Sequence, residues 1–158
     1  MNQDRLQTLI DVLRIVSCQD LPFDMGAWTS VRSGEPCRTS ACALGYAALD
    51  SRFQAMGLTL VNSHDPRQTF WTAQEVNAAI RAQTIGSNML AIPTYEGEQG
   101  FEAGSSLFDI SARASTYLFD PDSYPRGYIS PDDVIERVHE VVMLGGDAPD
   151  PMDDDEDC

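Results

Sequence analysis

The sequence predicts a mainly α-helical fold, and three observations carry that expectation. Apolar residues near both ends recur at three- and four-residue spacing, the period of one helix face. Short hydroxyl-bearing signatures that cap helix starts stand at Thr39 or Ser40, Thr72, Ser111 and Ser130. Runs with strand character are few and short. The expected architecture is one compact helical domain of about five or six helices over residues 1–146. A small two-stranded element has room at Leu58 to Val61 and Thr69 to Trp71, and the alternative is a small α+β domain.

Taken in order, Leu6, Leu9, Ile10, Leu13 and Val16 alternate with Gln7, Asp11 and Arg14, so roughly Gln3 to Ser17 forms an amphipathic helix. It stops before Pro22. Gly34, Glu35 and Pro36 form a turn, after which Thr39 or Ser40 caps a helix that opens with Ala41, Cys42, Ala43, Leu44 and Gly45 and runs to about Met56. Gly45 costs about 1 kcal/mol relative to Ala inside a helix. Close packing is the expected reason for it, passage of a ligand backbone the other. Phe23 and Trp28 cover this helix as aromatic anchors from the preceding loop. Gly57 breaks the pattern, Leu58 to Val61 reads as a short strand or a buried connection, and Asn62 to Arg67 as a turn carrying His64.

Thr72-Ala-Gln-Glu75 is a capping box, and it opens a helix with Val76, Ala79 and Ile80 that ends at Gly86 or Asn88. From Met89 to Ser106 the chain holds Pro93, Gly97, Gly100 and Gly104 with Glu96, Glu98 and Glu102 between them. This segment reads as a mobile functional loop centred on Tyr95 to Gly104, with the three glutamates as an acidic patch or a solvated surface. Phe101 to Phe108 begins a short helix, and Ser111 caps the next, which runs through Ala114, Tyr117, Leu118 and Phe119 until Pro121 ends it. Tyr124 and Tyr128 fold back over its aromatic end. Ser130-Pro131-Asp132-Asp133 then supplies a cap, a proline at the first helical position and acids in the first turn. Val134, Ile135, Val138, Val141 and Val142 form the buried side of this last helix, and Gly145-Gly146 stops it.

Composition narrows the function classes. No stretch approaches the roughly 20 apolar residues that span a bilayer, and the first residues lack the features of a secretory signal, so a cytoplasmic location is expected. Cys18, Cys37, Cys42 and Cys158 are read as free thiols. Cys37 and Cys42 are spaced permissibly for metal ligands, but without a second tight pair both are read as buried small hydrophobes, and no cofactor is expected. The net charge is −15, of which residues 147–158 carry seven acidic side chains, leaving −8 elsewhere. That final stretch reads as a disordered acidic tail. Such a chain repels phosphates and anionic lipids, which argues against direct nucleic-acid or membrane binding and for a cationic protein partner.

Phe23, Met25 and Trp28, the run C-R-T-S-A-C-A-L-G-Y-A from Cys37 to Ala47, and Leu118-Phe119-Asp120-Pro121 followed by Tyr124 resemble a group of small, mostly uncharacterised proteins of bacteriophages and bacterial mobile elements. In that group an aromatic loop ending in Trp leads to Cys-x-Thr-x-x-Cys-x-x-Gly and a small-residue helix, and a Leu-Phe-x-Pro-x-x-Tyr segment closes a later helix. The resemblance covers Phe23 to about Ile135 in patches. It departs at Arg38, where a small residue is usual, and in the length between Arg81 and Gly104. It implies a phage-type protein acting in the host cytoplasm.

No nucleophile and base are paired by any motif, so no catalytic residue is singled out and catalysis stays open. Two function classes follow. One is an acidic phage-type binding or inhibitor protein that occupies a basic site on a host protein, such as the nucleic-acid groove of a defence enzyme. The other is a small-molecule enzyme or ligand-sequestering protein with a pocket lined by Trp28, Tyr46, His64 and the 94–104 segment, including Tyr95, Glu96, Glu98 and Glu102. Oligomeric state is not specified by these patterns.

Overall fold

The computed structural model describes residues 1–31, 39–82, 91–125 and 127–150. The expected turn at Gly34 to Pro36, Arg38, Cys37, the helix end at Gly86 or Asn88, and Cys158 lie outside the described residues.

Helix α1 (Gln3–Cys18) is the element on which the others pack. Asn2 caps it, its side-chain oxygen accepting from the Arg5 N–H at 3.1 Å. Leu6, Leu9 and Leu13 are fully buried, and Ile10, Val12 and Val16 nearly so. The stripe is broad because three helices share it: α2 (Ala43–Leu49), α5 (Gly100–Phe108) and α7 (Pro131–Met143).

The helix expected from Ser40 to Met56 is in fact three elements. Thr39–Ala41 is strand β2, paired antiparallel with β1 (Thr29–Val31) in a two-stranded sheet. The start of α2 is capped by the Cys42 sulfur, which accepts from the Gly45 N–H at 3.3 Å. Asp50 then adopts an extended conformation and restarts the chain as α3 (Ser51–Ala55), accepting from the Arg52 N–H at 2.9 Å. A side chain that competes for local N–H groups explains the break. Gly45 is tightly packed, as expected: a Cβ there would lie 2.0 Å from the Trp28 carbonyl oxygen.

Helices hold just over half of the described residues, but the β content exceeds a two-stranded element. Strands β3 (Thr59–Asn62) and β4 (Thr69–Phe70) pair where expected, and β5 (Ala91–Tyr95) and β6 (Glu98–Gln99) extend them into a four-stranded antiparallel sheet of order β4-β3-β5-β6. The segment expected as a mobile loop is therefore a hairpin that runs straight into α5. Glu96 and Gly97 both have positive φ, 51° and 86°, and connect Tyr95 to its partner Glu98. That two-residue turn matches the twist of a hairpin. Between the hairpins, Thr72 and Glu75 form the expected capping box at the start of α4 (Ala73–Ala82).

Ser111 caps α6 (Ala112–Phe119) through the Ala114 N–H, and Ser130 with Asp133 makes a capping box on α7. Phe53, Phe108 and Phe119 meet at 5.8 and 5.9 Å between ring centres and join α3, α5 and α6 in one apolar cluster. Beyond Gly146, residues 147–150 lie against α6 as a strap. Arg113 donates to Asp147 at 3.3 Å, to Asp150 at 2.9 Å and to the Ala148 carbonyl at 2.7 Å. The acidic segment expected to be disordered from Asp147 thus begins docked, and residues 151–158 lie outside the described residues.

Candidate functional site

The site grows from the point where α6 ends. Proline at position 121 stops the helix, and the Asp120 carboxylate accepts from the Asp122 N–H at 2.9 Å, setting a short 3-10 turn over Pro121–Ser123. This turn sends Tyr124 back across α6, where its hydroxyl donates to the Leu118 carbonyl at 2.8 Å. Burial raises the Tyr124 phenol above its ordinary range. The chain then passes Tyr128, exposed at 74%, before Ser130 opens α7.

On α7, Asp133, Glu136, Arg137 and Glu140 share one face by i, i+3 and i+4 spacing. That face meets the end of α6. The Arg137 guanidinium lies between two rings, 4.0 Å from the Tyr117 centre and 3.5 Å from that of Tyr124. It also donates to the Tyr117 carbonyl at 2.6 Å, the Ser123 hydroxyl at 2.8 Å and the Ser123 carbonyl at 2.6 Å. A planar cation with a fork of donors suits this position, because it stacks and bonds in its plane at once. Tyr117 donates its hydroxyl to Glu140, and burial together with that bond pushes its phenol up to about 12.

These residues line an open cleft of about 340 Å³. Tyr117, Tyr124, Tyr128 and Pro125 supply its apolar walls, while Asp133, Glu136 and Glu140 make it anionic. Asp133 is committed to the helix cap, accepting from the Ser130 N–H and hydroxyl at 2.7 Å each. Those bonds hold its carboxyl below the usual carboxylate range. Glu136 and Glu140 are exposed. The arrangement offers ring faces, a phenol and carboxylates, which together fit an organic cation.

The residues singled out from the sequence do not converge. Trp28 is half-buried, its ring edge-on to Phe101 at 5.2 Å and laid over Gly100, where a Cβ would come within 3.1 Å. Tyr46 stacks on Phe23 at 6.3 Å and donates to the Pro22 carbonyl. Tyr95 is buried, and its phenol accepts from Arg5 at 3.2 Å. His64 is exposed on the β3–β4 turn, its backbone N–H donating to Asn62 at 2.9 Å, and the described clefts do not include it. Glu96 stands in the hairpin turn. Glu98, paired with Tyr95 across the hairpin, meets Glu102 in a depression of about 220 Å³ with Phe101, Ser105 and Thr116.

Tyr117, Glu136, Arg137 and Glu140 were missed. The signal available for the three on α7 was its acidic stripe with one arginine inside it, four residues after the capping Asp133. Among the described residues, no group of three or more His, Cys, Asp or Glu side chains is placed to hold a metal ion. Cys42 is buried, and burial pushes its thiol up to about 11. No helix among the described residues is long and apolar enough to cross a membrane. Comparison with known proteins finds no family model, no curated protein and no solved structure that matches this chain.

Proposed function

We propose that this is an acidic binding protein of the phage type anticipated from its motifs, and that it takes a cationic group of a host protein into the cleft between α6 and α7. The observation that carries this reading is the open lining of the cleft, where the exposed Tyr128 ring stands with the Glu136 and Glu140 carboxylates. Arg137 takes up the faces of Tyr117 and Tyr124, so the aromatic and anionic surface open to a partner is that of Tyr128, Glu136 and Glu140. The net charge of −15 steers a basic surface toward it, raising the rate of encounter. A basic nucleic-acid groove on a host defence protein has the complementary sign.

The test uses a short arginine-bearing peptide and the full chain. Binding is expected to weaken as salt rises, and the double substitution Glu136→Gln with Glu140→Gln is expected to remove most of it. Equal affinity in the double variant overturns the cleft reading.

A second reading is favoured by a larger, more apolar space. About 620 Å³ lies over α6 against Ala148 and Pro149, within the roughly 300–1,000 Å³ of small-molecule sites. A ligand-sequestering protein or small-molecule enzyme would use it. A thermal-shift screen separates the two: stabilisation by neutral small molecules, without peptide binding, favours the second.

A further inference from the structure

The α6–α7 cleft is one step of a longer path. It shares Tyr117 as a wall with the space over α6 bounded by Ala112, Thr116, Ala148 and Pro149. That space in turn shares Ala112 and Thr116 with the depression rimmed by Glu98 and Glu102. The three therefore lie side by side across the exposed face of α6, neighbours sharing a wall.

Charge is arranged along this path by position. Glu98 and Glu102 mark one end, Glu136 and Glu140 the other. The middle is methyl- and ring-lined, and its Asp150 is paired with Arg113 at 2.9 Å. Six carboxylates against two arginines line the three depressions, so the path attracts cations. Both arginines are held by partners within the chain.

We infer that this path is a docking groove for an extended segment of a partner protein, with basic side chains at its two ends and apolar side chains between them. The inference rests on the cationic-partner reading above and adds the pattern the partner must carry. Crossing a helix about 10 Å wide takes about three extended residues at roughly 3.3 Å each, so the two basic positions are about four residues apart. Arginine fits the α7 end, where the exposed Tyr128 ring stands in the same cleft as the Glu136 and Glu140 carboxylates. A second copy of this chain is a poor occupant, because its basic residues number 10 against 25 acidic ones. Nucleic acid is disfavoured by the sign of the groove.

The experiment measures fluorescence anisotropy of labelled peptides with the full chain at low salt. One peptide is Gly-Arg-Leu-Ala-Leu-Arg-Gly, and a second has the same composition with its arginines adjacent. The spaced peptide is expected to bind about tenfold tighter, and Thr116→Arg, an exposed change in the middle of the path, is expected to remove that preference while leaving thermal unfolding unchanged. Should that variant unfold, Ala112→Arg, also exposed, takes its place. Equal binding of the two peptides, or a spaced preference that survives the substitution, overturns the groove and leaves the cationic-partner reading standing. Failure of both peptides to bind overturns that reading as well.

Discussion

Gly45 lies beneath the Trp28 carbonyl, and the 2.0 Å that a Cβ would leave is far inside contact distance for a backbone atom that cannot rotate away. Gly45→Ala is therefore expected to cost about 3 kcal/mol, read as a lower urea midpoint with unchanged slope. A loss under about 1 kcal/mol would mean that the loop before β1 yields easily. Three residues earlier, the buried Cys42 thiol accepts from the Gly45 N–H and is pushed up to about 11. Its reactive thiolate is scarce near pH 8. Iodoacetamide followed by peptide mass mapping should label the exposed Cys18 and spare Cys42, and equal labelling would contradict this packing. Asp133 gives a pH signature. Bonds from Ser130 lower its carboxyl in the folded chain, so its stabilisation is present above the unfolded value of about 3.9 and is lost as pH falls through the lower folded value. Asp133→Asn should destabilise modestly at pH 7, and the gap between variant and parent should shrink in acid as pH falls through the lowered folded value of the carboxyl. A gap that is the same at pH 7 and in acid would show that charge is not involved.

At the scale of elements, Arg137 fastens α7 to the end of α6 and to the turn after it, through three hydrogen bonds and two ring faces. Arg137→Ala should destabilise by about 2–3 kcal/mol, and Arg137→Lys should restore little, since an ammonium cannot stack and reach three acceptors in one plane. Calorimetry of the two variants decides it: full rescue by lysine would reduce the site to a point charge. Helix starts were the most legible elements, because Ser111, Ser130 and the Thr72–Glu75 box act on N–H groups within three residues. The strand at Thr39–Ala41 was not legible, since what fixes it is pairing with Thr29–Val31 across an intervening segment. The hairpin at β5 and β6 was hidden for the same reason. Ala91–Tyr95 is a strand because β3, some thirty residues earlier, bonds to it. The folding back of Tyr124 was readable from Pro125 and Gly127 beside it, but Glu136 and Glu140 looked like the wet side of an amphipathic helix. Their meaning comes only from what α6 places opposite.

For the molecule as a whole, attraction and grip are separable. Residues 151–158 carry five acidic side chains, whereas Asp147 and Asp150 are tied to Arg113. Charges outside a contact act over a screening length of about 8 Å at physiological ionic strength. Truncation after Asp150 should therefore slow association with a cationic partner and flatten its salt dependence while leaving dissociation nearly unchanged, which stopped-flow measurements at several salt concentrations would read. A dominant change in dissociation would place those residues in the contact itself. The packing of α1 has a separate consequence, which concerns time. Its apolar stripe is completed by α7, with Ser17 donating to Asp132 at one end and Met1 packed beside Gly146, just past α7, at the other. Helix α1 thus closes against α7, which is synthesised later. At roughly 5–20 residues per second, Leu6, Leu9 and Leu13 wait on the order of 6–25 s for that lid during synthesis. The nascent chain leaves that stripe uncovered until α7 exists, and that interval is when a chaperone would find it.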